Sequence, residues 1–242
     1  MKDSPALSTL VRAASAYYRG AGFFARQFAR GKLGGDPVFA AILADGLLHG
    51  CRSLLDLGCG QALLATWLLA AQRCHGAMSR WPAAWPAPPA LAAYRGIEIN
   101  PREAARARHA LRQDGVLSLQ IVEDDIRNVD YGTADAAVIL DVLHYIEHRA
   151  QERVLERVSS ALPRGGLLLL RVGDCAAGLR TLYGQAVDRT VALARRGRWP
   201  TFQYRSLQDW RALLARCGFG SSPLPMSQGT RFANVLFVAR RA

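Results

Sequence analysis

Lysine is nearly absent from this 242-residue sequence, although the formal net charge is +12. Only Lys2 and Lys32 are lysines, so arginine supplies almost all of the positive charge. The frequent Arg, Ala and Leu residues are together typical of a genome with biased codon usage. An acidic partner, such as nucleic acid, an anionic membrane or an acidic protein, is the alternative explanation of the charge. Both explanations stay open at this stage.

Cysteine is sparse, and its spacing excludes two classes of small protein. No Cys-x-x-Cys pair and no neighbouring pair of histidines occurs, so a disulfide framework and a zinc site are both disfavoured. We expect free thiols and no bound metal. The five cysteines are Cys51, Cys59, Cys74, Cys175 and Cys217.

Long apolar runs are also missing. None approaches the ~18 residues that predict a membrane-spanning helix. The first residues, 1–5, are followed by Arg12 before any long apolar stretch, which is not the pattern of a secretory signal. We therefore expect a cytoplasmic protein, long enough for one α/β domain and a modest additional element.

Strand and helix patterns alternate along most of the chain. Residues 1–50 predict helical segments, which we expect Gly20, Gly22, Gly31, Gly34 and Gly35 to interrupt. Residues 51–242 predict a single α/β domain with a proline-rich loop insertion at 76–93 and a helical insertion at about 177–200. The strands are continuously apolar, which indicates a parallel sheet buried on both faces.

A glycine-rich turn joins the strand at 53–57 to the following helix. Gly58 and Gly60 let the backbone approach a ligand closely and leave helix N–H groups pointing at it. A turn that binds a dinucleotide would have Gly or Ala at the position of Leu63, which disfavours a nicotinamide-dependent dehydrogenase. Asp56, two residues before Gly58, suits a ligand with a positive ammonium and sulfonium.

With these features, the sequence strongly resembles the class I S-adenosylmethionine-dependent methyltransferases over about residues 50–175. The resemblance implies an α/β fold with a Rossmann-like, doubly wound, mostly parallel seven-stranded sheet and helices on both faces. Residues 1–50 would form an N-terminal helical lid or substrate segment. It also implies S-adenosylmethionine as the cofactor and methyl transfer as the reaction.

The resemblance assigns cofactor-binding roles residue by residue. Asp56, Gly58 and Gly60 would wrap the methionine part. Glu98, which ends the second strand, would hold the ribose hydroxyls, since a carboxylate can accept from two hydroxyls at once. Ile99, next to it, and Asp141 would also bind the cofactor.

The resemblance extends to the adenine and to the transfer site. Asp125 would meet the adenine amino group, and the N–H of Ile126 a ring nitrogen. The family usually has glycine at the position of Asp124, so which of the two aspartates faces the ring stays open. Asp141 follows the fourth strand, in a segment that lines the methyl-transfer site.

His144 is the candidate catalytic residue. A neutral imidazole can accept a phenol or hydroxyl proton near neutral pH. If the acceptor is a carboxylate, His144 would only orient it, and a purely structural histidine near a helix start is the third interpretation.

The segment after the fourth strand also bears on other functions. Enzymes that methylate amino groups of DNA bases typically carry Asp/Asn-Pro-Pro-aromatic after the fourth strand, where this chain has Asp141-Val142-Leu143-His144. No Pro-Cys nucleophile occurs either. DNA is therefore disfavoured, whereas an RNA or other macromolecular acceptor and a cofactor-binding protein without catalysis remain alternatives.

A narrower resemblance concerns methyltransferases of bacterial aryl-polyene pigment pathways, including the xanthomonadin type. It implies methylation of a hydroxyaryl group, on oxygen or on the ring, with the substrate free or carried on an acyl carrier protein. The segments that carry this resemblance are 28–37, 139–145, 170–174 and 225–230.

Arginines recur near the N-terminus at a spacing that places them on one face of a helix. Leu10, Tyr17, Phe24 and Phe28 repeat the same spacing and would lie on nearly the opposite face, with Gly20 and Gly22 as candidate breaks. We interpret this pattern as a solvated face of the lid, as a surface for an acidic carrier protein, or as a contact with an anionic membrane. The arginines are Arg12, Arg19, Arg26 and Arg30.

Overall fold

The computed structural model describes residues 5–77, 81–112, 118–173, 202–228 and 234–242. The helical insertion predicted at about 177–200 lies outside these residues. The helices are α1 (Pro5–Ala16), α2 (Phe23–Gly35), α3 (Pro37–Ala44), α4 (Leu63–Ala77), α5 (Pro101–Leu111), α6 (His148–Ala161) and α7 (Leu207–Arg216). The strands are β1 (Ser53–Leu57), β2 (Ala93–Glu98), β3 (Ser118–Glu123), β4 (Ala136–Leu140), β5 (Leu167–Gly173), β6 (Phe219–Pro225) and β7 (Asn234–Arg241).

The strands form a seven-stranded, mostly parallel sheet in the order β3-β2-β1-β4-β5-β7-β6, which confirms the predicted Rossmann-like fold class. The chain divides into two compact units, residues 1–129 and 130–242. No helix in the described ranges is long and apolar enough to cross a membrane.

The first unit contains three parallel strands. β1 pairs with β2 so that Asp56 lies opposite Gly96, and β2 pairs with β3 so that Glu98 lies opposite Glu123. β1 is buried along nearly its whole length, whereas β3 is largely exposed or half-buried. A continuously apolar pattern therefore describes β1 and fails for β3, which is an edge strand.

The N-terminal helices pack as a small layer of their own. α1 packs against α2 and α4. Tyr18, fully buried in the turn between α1 and α2, donates to the backbone oxygen of Gln61 at 2.8 Å. The predicted break at Gly20 and Gly22 is confirmed, but the expectation for the other glycines is wrong, because α2 runs through Gly31 to Gly35.

The expected division of polar and apolar faces holds in α1, where Leu10 is buried and Arg12 is exposed. It fails in α2, where Phe24 and Phe28 are exposed. The buried side of α2 consists of Ala25, Ala29 and Leu33, and the two small alanines let the helix pack closely.

Two helices begin with side-chain caps. The Asn100 side chain accepts from the backbone N–H groups of Arg102 and Glu103, with Pro101 at the first helical position. Ser206 and Asp209 form a reciprocal capping box at the start of α7. The proline-rich loop insertion predicted at 76–93 has no helix or strand over 81–92, but its predicted bounds are too wide, because α4 continues to Ala77 and β2 begins at Ala93.

The second unit mixes strand directions. β5 pairs with β4 in parallel and with β7 antiparallel, and β7 pairs antiparallel with β6. The sequence analysis did not identify β6. Its Pro223 and Pro225 oppose strand formation in general, but an edge strand tolerates proline because one row of its N–H groups has no partner strand.

Candidate active site

The loop between β1 and α4 has an unusual backbone. Gly58, Gly60 and Ala62 all have positive φ angles, of 75°, 57° and 60°. The N–H groups of Gly58 and Cys59 donate to the carbonyl oxygen of Ile97, at 2.8 and 3.1 Å, so the loop is fixed to the end of β2. A Cβ at Gly60 would meet no atom within 4 Å. The loop therefore presents bare backbone to open space just before a helix N-terminus.

Glu98 joins this loop to the start of α5. Its Oε2 accepts from the N–H of Gly60 at 2.9 Å, and its Oε1 accepts from the N–H of Asn100 at 2.8 Å. Its side chain is buried. Each carboxylate oxygen has two acceptor sites, so both can still accept from a neighbouring hydroxyl. The structure thus brings Gly60 and Glu98 together, and the assigned role at the ribose stays a prediction.

Asp56 lies deeper, at the end of β1, and is 4 % exposed. The Tyr94 hydroxyl donates to its Oδ2 at 2.7 Å. Burial raises the pKa of Asp56 to about 7, the Tyr94 hydrogen bond opposes this, and the negative charge of Glu98 adds to it. A positive group nearby would favour the ionised carboxylate. This environment fits the predicted contact with a cationic ligand, which stays a prediction.

Tyr94 was not identified from the sequence. It lies on β2, two residues before Gly96, which faces Asp56 across the strand pair. A Cβ at Gly96 would come within 2.8 Å of the Cys59 sulfur. A glycine inside an apolar strand is a signal of such close approach, and could have pointed to this packing.

The loop after β3 holds the next predicted residues. The carboxylate of Asp125 accepts from the backbone N–H of Arg127 at 2.9 Å and from its guanidinium. Asp124 is exposed, whereas Asp125 is half-buried and Ile126 is buried. The ion pair with Arg127 fixes the orientation of the Asp125 carboxylate, and the adenine contact of either aspartate stays a prediction. Ile99, in contrast, is 47 % exposed.

In the second unit, Asp141 follows β4 with a φ of 60°. Its Oδ1 accepts from the Nε of Arg171 at 2.8 Å, and its Oδ2 accepts from the same guanidinium. Arg171 lies on β5 and is fully buried, so its charge needs this carboxylate. The sequence analysis missed Arg171. An arginine inside the apolar run of β5 was the available signal, because a buried charge requires a partner.

His144 lies on a short 3-10 turn, Leu143–Tyr145, and is buried. Three aromatic rings surround its imidazole. The Tyr204 ring is stacked nearly parallel at 5.6 Å, with 10° between the planes, and the rings of Phe202 and Tyr145 lie at 5.6 and 4.2 Å. We call these four residues the His144 ring cluster. The sequence analysis did not identify Phe202 and Tyr204, which are distant in the chain.

Gln151 connects the turn to the segment that carries these rings. Its amide nitrogen donates to the carbonyl oxygens of Leu143, Ile146 and Gln203, at 2.9–3.1 Å. Its Oε1 accepts from the Nε of Arg205 at 2.7 Å. Gln151 is fully buried on the apolar side of α6. A polar residue within an apolar stripe was the signal that could have identified it.

No group of three or more His, Cys, Asp or Glu side chains in the described ranges is arranged to hold a metal ion. The prediction that the site needs no metal is not tested by this finding. The polar groups found in the first unit are backbone N–H groups, which donate, and carboxylates, which accept. They suit an organic ligand with hydroxyl and ammonium groups.

Comparison with known proteins identifies the domain. Residues 55–168 match the family model described as "Methyltransferase domain". The carboxy-S-adenosyl-L-methionine synthase of Chromohalobacter salexigens is 36% identical over 84 residues, which are 34% of this chain and 31% of that protein. The alignment therefore spans about a third of the length of this curated relative.

Solved structures support the same fold. Magnesium protoporphyrin IX methyltransferase from Synechocystis PCC 6803, with bound SAH, has a TM-score of 0.59 at 21% identity, covering 98% of this chain and 96% of that one. Mitomycin 7-O-methyltransferase has a TM-score of 0.59 at 21% identity, covering 98% and 66%. The family match agrees with the predicted enzyme class for residues 55–168, and the solved structures share the predicted fold.

Proposed function

We propose that this chain, whose residues 55–168 match a methyltransferase domain, transfers the methyl group of S-adenosylmethionine to the hydroxyl of an aryl acceptor. The sequence resembles methyltransferases of aryl-polyene pigment pathways, so the acceptor is a small aryl molecule or an aryl group on an acyl carrier protein. The observation that carries the proposal is the His144 ring cluster, since flat aromatic walls suit a flat acceptor.

The first unit supplies the cofactor-binding residues. When bound, S-adenosylmethionine supplies a methyl carbon attached to a positively charged sulfur, which is intrinsically transferable. Glu98 accepts from the ribose hydroxyls, and Asp56 pairs with the positive end of the methionine part. The bare backbone at Gly60 leaves room for close approach. These residues bind and orient the cofactor. Correct positioning of the reactants is the main contribution of the protein to this reaction.

The second unit supplies the acceptor-binding residues. The rings around His144 hold an aryl group and exclude water from the imidazole. His144 accepts the proton that the hydroxyl loses as its oxygen is methylated. Asp141 and Arg171 neutralise each other, so this region gains no net charge from them. The printed name of one structural neighbour, mitomycin 7-O-methyltransferase, supports oxygen as the methylated atom.

The test is a product analysis with the purified chain. Labelled S-adenosylmethionine is incubated with a panel of hydroxyaryl acids, both free and attached to an acyl carrier protein, and the products are identified by mass spectrometry. We expect a methyl ether and one S-adenosylhomocysteine per turnover. A ring-methylated product would refute oxygen as the acceptor atom. Methyl transfer to RNA in a parallel incubation, with none to any hydroxyaryl acid, would refute the aryl acceptor altogether.

The relative from Chromohalobacter salexigens favours a second candidate function. Its printed name describes the synthesis of a carboxylated form of S-adenosylmethionine, not methyl transfer. The same mass spectra distinguish the two reactions, because a carboxylated cofactor is heavier than S-adenosylmethionine, whereas methyl transfer leaves a lighter one. Binding of S-adenosylmethionine with no product of either kind would indicate a cofactor-binding protein without catalysis.

A further inference from the structure

Exposed apolar side chains concentrate on α2. Four large apolar side chains of the described residues are strongly exposed, and three of them belong to this helix. Phe23 is 70 % exposed, Phe24 82 % and Phe28 44 %. Single exposed apolar residues are normal on protein surfaces, but a cluster of three aromatic rings on one short helix marks an interaction site.

The outward direction of these rings is fixed by the packing of the helix. Ala25, Ala29 and Leu33 are buried on its other side. The side-chain amide of Gln61, next to the glycine-rich loop, donates to the carbonyl oxygen of Ala25 at 3.1 Å. Phe23 and Phe24 also contact each other edge to face, with 5.9 Å between ring centres. The rings are therefore presented by an anchored helix.

Positive charge borders the apolar rings. Arg26 and Arg30 are exposed on α2, and Arg19 is exposed in the turn before it. At about 3.6 residues per turn, Arg26 and Arg30 fall between the buried side of the helix and Phe23. α2 contains no acidic residue, and Lys32 pairs with Asp36, the residue after the helix, at 2.8 Å.

We propose that α2 docks this protein on the surface of an anionic lipid bilayer. The phenylalanine rings enter the boundary between headgroups and acyl chains, and the arginines contact the lipid phosphates. Protruding rings on a convex helix need a soft apolar layer beneath a layer of negative charge, which an anionic bilayer provides. An acidic protein would match the arginines but would have to provide a groove for three rings.

The test is sedimentation of the full-length protein with lipid vesicles. One set of vesicles contains phosphatidylcholine alone, and the other also contains phosphatidylglycerol. We expect binding to the second set only. The double change Phe23→Ser with Phe24→Ser, and separately Arg26→Glu with Arg30→Glu, should each lower the bound fraction roughly tenfold.

A matched control separates the helix from the general charge of the protein. Arg112→Glu with Arg164→Glu makes the same change in net charge at two exposed arginines outside α2, and should leave binding nearly unchanged. Equal losses in both arginine variants, or no loss in the phenylalanine variant, would overturn the proposal. The proposal would also be overturned if the wild-type protein did not bind the vesicles but bound an acidic carrier protein through α2.

Thermal unfolding of each variant shows whether it is folded, and the exposed positions of the changed residues make a folding defect unexpected. Vesicle binding is measured without any acceptor. A failed methyl-transfer assay therefore leaves the lipid proposal intact, and absence of vesicle binding leaves the proposed reaction intact.

Discussion

The two compact units build their candidate functional residues in different ways. In the first, a few short segments at strand ends meet, and backbone N–H groups provide most of the hydrogen bonds, as Glu98 shows with Gly60 and Asn100. In the second, side chains far apart in the sequence assemble around His144, and Gln151 connects them to residues up to 54 positions away. A site built from backbone needs few specific side chains. A site built from side chains depends on each of them.

The largest effect is expected at the centre of the side-chain-built site. His144→Ala should lower turnover about 10²–10⁴-fold, the usual contribution of a general base, while affinity for S-adenosylmethionine is retained. Steady-state kinetics and calorimetry measure the two quantities. His49→Ala is the control, because His49 is exposed and belongs to the first unit. Near-normal turnover of His144→Ala would leave His144 a packing or orienting role.

The next effect concerns the buried amide that supports the ring cluster. Gln151→Leu leaves the carbonyl oxygens of Leu143, Ile146 and Gln203 without this donor, and should lower the free energy of unfolding by about 2–3 kcal/mol. Denaturant unfolding measures it. Gln203→Ala is the control, since the backbone of Gln203, not its side chain, makes the described hydrogen bonds. A Gln151→Leu variant as stable as the wild type would show that the His144 ring cluster does not depend on the Gln151 amide.

In the first unit, where backbone N–H groups make most of the hydrogen bonds, Glu98 is the side chain on which cofactor binding is expected to depend most. Glu98→Ala should weaken S-adenosylmethionine binding by about 1–3 kcal/mol, because two backbone donors and the ribose hydroxyls lose their acceptor. Calorimetry measures the affinity. Glu123→Ala, at the paired position on β3, is the matched control and should bind normally. Unchanged affinity of a folded Glu98→Ala variant would remove Glu98 from the cofactor site.

The smallest effect is a pH dependence of stability. The pKa of Asp56 is about 7 in the folded chain against an ordinary value of 3.8. Between these values the folded chain holds a proton that the unfolded chain releases, so this group's contribution to stability falls as pH rises to about 7 and is then constant.

The asparagine side chain of the Asp56→Asn variant cannot ionise, so the variant should lack this fall in stability as pH rises. We therefore expect the stability of the variant to improve relative to the wild type between about pH 4 and pH 8, while the lost hydrogen bond to Tyr94 lowers its stability by a similar amount at every pH. Denaturant unfolding at a series of pH values measures the difference. A constant difference at all pH values would contradict a buried, proton-holding Asp56.

The contrast between the units also explains what the sequence could predict. Gly58, Gly60 and Glu98 were identified because each acts at a strand end, where local chain geometry decides the position. The helix starts at Asn100 and Ser206 are likewise set locally, by capping side chains. Gln151, Arg171 and Tyr204 were missed because their partners are set by tertiary packing, which neither spacing nor periodicity records.

The two prolines that obscured β6 have a second consequence. β6 is the last strand in the sheet order, so its outer side would offer a template on which another chain could add a strand. Pro223 and Pro225 have no N–H group to donate to an incoming strand. Among the described strands, this edge is therefore a poor seed for intermolecular β-sheet growth, and replacing both prolines would make the protein more prone to aggregate at high concentration.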